Sequence, residues 1–339
     1  MRKNKIEIIK ETVMTFTSGR RFTLKAITLA LAATPLMAAA QDYPKRPITL
    51  VVPFAAGGGT DSIGRELGKF LSERLGQPVV VDNRGGGGGA IAAKSVARAD
   101  PDGYTLLFVT STFVTHAATD KKASYDVKKD FTPIAMIGRG PLMVVTSKGM
   151  GFKNVADLVA ASKSRPEGLD FCSSGAGSVT HLAGELFVQK TGAKLTHVPY
   201  KGSGPATIDF LAGRTHAFFA TFPTMLQYVK SGSVDMIATT GAQRSPLFPN
   251  VPTVAEAGIP NFNITTWWGI VGPAGLPAPI VAKLNALINE ASAREPLKGR
   301  LVSEGAEAYS AKPAEFGTML ATELAMWREV VKTGNIKVD

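Results

Sequence analysis

Thiols are almost missing from this chain. Cys172 is the one cysteine in 339 residues, so an internal disulfide is excluded and the core must hold without cross-links. Like charge never accumulates either. The chain has a formal net charge of +11, but beyond residue 40 no basic run exceeds a doublet such as Lys121-Lys122 or Lys128-Lys129. Scattered charge of this kind argues against a nucleic-acid partner. Metal-ligand spacing is lacking too. His116, His181, His197 and His216 fall in separate elements with no H-x-x-x-H pattern, so no metal is expected. The longest apolar run near the N-terminus, residues 26–33, is too short to cross a bilayer.

Cofactor and catalytic signatures fail on inspection. Gly85-x-Gly87-x-x-Ala90 follows a strand-like run and mimics a dinucleotide fingerprint. The acid that should meet the ribose at the end of the next strand is missing, because that strand ends Val109-Thr110-Ser111. A phosphate loop ending in Lys94-Ser95 would need glycine at Ala93. No cofactor is therefore expected. Ser178 and His181 lie three apart on one helix face, the seed of a serine hydrolase reading. That reading is the weaker alternative, because G-x-S-x-G is broken by Ala176 and Ser178 serves more simply as a helix cap.

What is present begins with an export signal. Residues 1–25 carry seven Lys/Arg against Glu7 and Glu11; an apolar run follows, then Ala38-Ala39-Ala40. This order marks a secretory signal over residues 1–40, cleaved near Ala40, and a periplasmic destination. Arg20-Arg21 before Phe22 gives it a twin-arginine look, and the true start lies at Met1 or Met14. Removing the signal leaves 299 residues with 31 basic and 25 acidic side chains. A chain of that size supports a sizeable core and two lobes.

The stretch that organises the rest is 48–61, ITLVVPFAAGGGTD. An apolar β-prone run stops at Pro53, three glycines follow, and Thr60 or Asp61 can cap a helix over 62–75. Strand, bare turn and helix N-terminus together present backbone N–H groups, an arrangement that suits an anion. Strands over 78–82 and 104–109 and a helix over 90–98 continue a β-α-β-α-β pattern, which means a parallel sheet covered by helices. The third strand exits into the hydroxyls Thr110-Ser111-Thr112, where a sheet's C-terminal edge faces a ligand. Two further runs, 133–137 and 142–146, follow, and the second carries the chain into another lobe.

The second lobe repeats the logic. A strand at 169–172 leads into Ser173-Ser174-Gly175-Ala176-Gly177-Ser178 and a helix over 179–190. His181, one turn into that helix, reads either as a ligand donor or as a satisfied structural histidine, whereas His197 and His216 read as structural strand residues. Helices at 154–163, 205–211 and 222–230 and strands at 195–199, 216–221 and 236–240 complete the lobe. A strand over 266–272, carrying Trp267 and Trp268, returns to the first lobe, where helices over 278–293, 296–303 and 313–332 finish the chain. The fold expected is α/β, with two lobes joined by crossing strands and a cleft between them. The boundaries are 41–141 with 265–339 for lobe 1, and 142–264 for lobe 2.

These residues resemble a known family. Pro53-Phe54-x-x-Gly57-Gly58-x-x-Asp61 is similar to the first-turn motif of the periplasmic solute receptors of tripartite tricarboxylate transporters, the Bug family. Asn83-Arg84 before the glycine run, 99–106 (ADPDGYTL) and Thr115-His116-Ala117 match as well. So do Ser174-Gly175-x-Gly177-Ser178-x-x-His181-Leu182, Val198-Pro199-Tyr200-Lys201-Gly202, 209–213 (DFLAG), 251–258 (VPTVAEAG) and Trp267-Trp268-Gly269. The resemblance covers nearly all of the mature chain. It implies a type II periplasmic binding fold and capture of a small carboxylate: a dicarboxylate, tricarboxylate, acidic amino acid or aromatic acid. It also implies delivery to membrane transport subunits by a monomeric receptor that is not an enzyme. A receptor that signals to a sensor protein is the alternative with the same cleft. Carried over by position, first-turn contacts come from Phe54, Gly57, Gly58 and Asp61. Second-turn contacts come from Ser174, Gly175, Gly177, Ser178 and His181, with Thr110, Ser111 and Thr221 completing the set. Ala55-Ala56 stands where the family commonly has prolines. Neither turn carries Arg or Lys, so backbone dipoles and hydroxyls are expected to hold the anion, with Lys201 the nearest charge.

Overall fold

A computed structural model describes residues 43–336 apart from 55, 58, 121–123 and 304; the signal segment 1–40 lies outside the described residues. The chain divides into the units Met1–Lys45 and Arg46–Asp339, and all that follows concerns the second.

The chain opens β1 (Ile48–Val52), α1 (Gly59–Leu75), β2 (Val79–Asn83), a 3₁₀ turn (Gly87–Gly89), α2 (Ala90–Ala97) and β3 (Thr105–Thr110). β1 is buried along nearly its whole length, and lies between β2 and β3 with parallel pairing on both sides. This is what a continuous Val/Leu/Ile run covered on both faces should do. The expected hydroxyl exit after β3 is in fact the first turn of α3 (Ser111–Thr119), whose N-cap Thr110 accepts from the Thr112 N–H at 3.3 Å.

The two runs expected at 133–137 and 142–146 form one strand, β4 (Phe131–Ser147). Its first part pairs antiparallel with β9 (Thr265–Pro273); its second part pairs with β7 (Ala217–Thr221) and β8 (Val234–Thr239). The switch falls at Gly140–Leu142. A Cβ on Gly140 would sit 2.7 Å from the Gly305 carbonyl oxygen, so only glycine lets the segment before β10 (Glu307–Ala308) approach here. β10 pairs with Gly138 and Arg139.

Beyond the switch come α4 (Val155–Ser164), β5 (Leu169–Ser173), α5 (Val179–Thr191), β6 (Leu195–Pro199), α6 (Ser203–Leu211) and α7 (Phe222–Lys230). β5 lies between β6 and β7, parallel to both, so this half repeats the strand–turn–helix logic of the first. Gly184 on α5 faces Phe171 on β5 so closely that an added Cβ would lie 2.2 Å from the ring. The main sheet path runs β2-β1-β3-β9-β4-β7-β5-β6, so β4 and β9 are the crossing strands. α8 (Ala278–Ala293), α9 (Leu297–Ser303) and α10 (Pro313–Thr333) close the chain.

α10 packs on β4, on α3 and on α5, touching both halves. Its Val330 carbonyl accepts from Gln189 Nε2 at 2.9 Å. Trp267 and Trp268 on β9 are both buried. The Trp267 indole N–H donates to Glu323 Oε2 of α10 at 2.8 Å. Burial pushes the Glu323 carboxyl up to about 7, although the indole hydrogen bond pulls the other way.

The raised value has a definite sign. The fold prefers the protonated acid, so Glu323 costs nothing below its ordinary 4.5 and destabilises progressively as pH rises towards about 7. Glu323→Gln keeps an acceptor for the indole and removes the charge. The side chain is only half-buried, so solvent screens part of the effect. Denaturant midpoints should show the variant more stable than wild type by about 2 kcal/mol near pH 8, and equal to it near pH 4. A pH-independent difference would contradict this reading.

Candidate functional site

The first turn is shaped by Asp61. The residue is 3% exposed, two positions into α1. Its Oδ2 accepts from the Gly57 N–H at 2.8 Å and from Arg65 Nε at 3.0 Å; its Oδ1 accepts from Asn83 Nδ2 at 3.0 Å. The Asn83 amide also donates to the Phe54 carbonyl, and Asn83 Oδ1 accepts from Arg65. One carboxylate thus ties together the turn, the helix and the end of β2. Burial pushes its pKa up, but hydrogen bonds from Arg65, Gly57 and Asn83 and the Arg65 charge outweigh it and hold the carboxyl below the usual range. The Gly57 amide and both Asp61 oxygens are committed inside the turn. Gly58 lies outside the described residues.

Phe54 and Thr110 come together at the C-terminal ends of the neighbouring strands β1 and β3. With Pro53, Gly88, Phe113 and Tyr125 they line a void of about 10 Å³, room for one water. Ser111 is buried and its hydroxyl meets Thr266 Oγ1 of β9 at 3.1 Å. It ties α3 to a crossing strand.

The second turn is held by the same means with different residues. Ser174 N–H donates to Thr180 Oγ1 at 2.9 Å, Gly175 N–H to Ser173 Oγ at 3.0 Å, and Gly177 N–H to His181 Nδ1 at 3.1 Å. Ser178 is the N-cap of α5: its Oγ accepts from the His181 N–H at 3.2 Å and donates to the Gly175 carbonyl at 2.7 Å. Neither ring nitrogen of His181 bonds to Ser178, so the geometry of a serine–histidine nucleophile is not formed. His181 is 3% exposed. Its ring lies against the turn, with Nδ1 on the Gly177 amide. Thr221, at the end of β7, meets Thr224 Oγ1 at 2.8 Å as α7 begins.

The amides of Gly57, Ser174, Gly175 and Gly177 all have partners within the protein. The physical reason is that a partly buried N–H without one costs about 1–3 kcal/mol, so nearby side chains supply acceptors. By helix geometry the first-turn amides of α1 and α5 lack acceptors within their own helices, where the dipoles reinforce them; in α5 the His181 N–H is taken by Ser178. Sequence reasoning missed the residues that hold the turns: Arg65, Asn83, Ser173, Thr180 and His197. Only the i,i+4 spacing of Asp61 and Arg65 carried a local signal. In each half the expected residues gather at the C-terminal edge of parallel strands: β1 and β3 in one, β5 and β7 in the other. α3, capped by Thr110, packs against α5, capped by Ser178.

Comparison with known proteins bears on this arrangement. Residues 63–336 match the family model described as tripartite tricarboxylate transporter family receptor. The chain is 37% identical to protein BugT of Bordetella pertussis over 314 residues, covering 92% of this chain and 96% of that protein. Among solved structures, R. palustris Rpa4515 with adipate is similar at 36% identity and a TM-score of 0.81, covering 88% of this chain and all of that one. MatC from Rhodopseudomonas palustris with bound malate gives 32% identity and a TM-score of 0.77, covering 85% of this chain and all of that one. With a family model spanning most of its length and a relative this similar end to end, the chain belongs to the receptor family of the tripartite tricarboxylate transporters.

Proposed function

We propose that this protein is an exported, periplasmic receptor that captures a small carboxylate and passes it to membrane transport subunits. The lobes are 41–141 with 265–339, and 142–264. The observation that carries the reading is the pairing of two strand–turn–helix units, one ending β1 and one ending β5, in a receptor family whose relatives include structures with adipate and with malate. The inner hydrogen bonds hold each turn in a fixed shape, so that α1 and α5 aim their N-termini without reorganising when the anion arrives. Phe54, Thr110 and Ser178 border these units, with Ser111 and Thr221 at the neighbouring strand ends. Asp61 and His181 act through the turns, not on the ligand. Crossing strands β4 and β9 let the lobes close on the guest.

The reading is tested by titrating the mature protein with mono-, di- and tricarboxylates, adipate and malate among them. Binding to the folded state should raise Tm with concentration, by about 2.7 kcal/mol of added stability at a hundredfold excess over Kd. Small-angle scattering should show a smaller radius with the bound acid. A panel that moves neither quantity would sink the proposal.

Asp61 supplies a second test. Asp61→Ala strips the Gly57 amide, Asn83 and Arg65 of their shared partner. Stability near neutral pH should fall by about 2–3 kcal/mol in urea titrations. Because its folded pKa is lowered, this contribution is present above the ordinary 3.8 and lost as pH falls through the depressed value. The gap between wild type and variant should therefore shrink in acid.

A further inference from the structure

Two histidine rings stack behind the second turn. His181 of α5 and His197 of β6 have centroids 3.7 Å apart and planes inclined by 17°. Each supports a different amide of the turn. His197 Nε2 lies 2.6 Å from Ser173 Oγ, the atom that accepts the Gly175 N–H. His181 accepts the Gly177 N–H directly at Nδ1. Gly177 has φ +77°, a conformation that glycine adopts freely and that the amide bond helps to fix.

The Gly177 bond dictates the state of the His181 ring. An Nδ1 that accepts carries a lone pair, so the single proton of the neutral ring sits on Nε2. Nε2 faces Glu185 Oε1 at 3.5 Å. A doubly protonated ring has two donors and no acceptor, and must give up the Gly177 amide. The groups facing the ring are few. Its own helix supplies Glu185, β6 supplies His197 and β5 supplies the Phe171 ring. α3, which packs on the same helix, has His116 as its titratable side chain, and that ring stacks on Tyr125 instead. α10 meets α5 at the far end, near Gln189. Burial and the neighbouring His181 push His197 down to about 3, so it stays neutral as pH falls towards 5.

We propose that His181 is a positioning residue for carboxylate capture: its ring, with Nδ1 accepting and the proton on Nε2, holds the Gly177 amide and so the shape of the second turn. This rests on the reading of the second turn as half of the carboxylate site. The coupling runs through a backbone amide, so the ring governs affinity without touching the ligand.

The test uses the full mature chain, with adipate and malate as probes. Calorimetric titrations near neutral pH should show His181→Phe binding about tenfold more weakly than wild type. His181→Asn places an amide oxygen where Nδ1 stood and should restore most of that loss. The Gly177 amide resonance, followed by NMR without ligand, should move in His181→Phe and return towards its wild-type position in His181→Asn. Equal affinities for the Phe and Asn variants, or a Gly177 resonance that does not move in His181→Phe, would overturn the proposal. If wild type binds neither acid while the Gly177 resonance moves as expected, the carboxylate reading fails and takes the capture role with it. The imidazole–amide coupling would then stand alone.

Discussion

A buried N–H must find an acceptor, and both turns of this protein are built around that demand. Glycine turns without side chains cannot satisfy their own amides, so the acceptors come from elsewhere. In the first turn they converge on one carboxylate, Asp61, itself braced by Arg65 and Asn83. In the second they are spread over Ser173, Thr180 and His181. The two halves thus solve one problem in opposite electrostatic styles. The first buries a charge and neutralises it locally; the second uses only neutral acceptors. In both, side chains from outside the turn anchor it just ahead of a helix N-terminus.

Much of this was legible in the sequence. The strand–turn–helix units around 48–61 and 169–190 follow from apolar runs, glycine punctuation and Ser or Thr at helix starts. The repetition of that unit is what pointed to two lobes. Family membership was legible for the same reason, since the motifs lie in order along nearly the whole mature chain.

The rest was hidden for identifiable reasons. The helix Ser111–Thr119 is rich in β-branched and aromatic residues, and its burial between α5 and α10 overrides local preference. β4 contains Pro133, Gly138, Gly140 and Pro141, which read as breaks. In the structure Pro133 sits at a register shift, and the glycines admit the close approach around β10. The partners of the turn amides are choices of tertiary structure. Asn83 and His197 arrive from other strands, so no pattern within a turn announces them. A turn read in isolation shows none of the acceptors that its amides find in the fold.

The unbroken course of β4 has a consequence for how the molecule can be dissected. Residues 131–141 complete one half of the sheet and 142–147 complete the other, through a single backbone. β9 is bound on both sides within the first half, and α10 braces helices of both. Severing the chain near 141 would strip an inner ladder from each fragment and leave raw edges prone to misassociation. The halves are therefore interdependent in synthesis as in form: neither is a module that can be borrowed, and a chimaera with altered taste must trade turn residues within an intact frame.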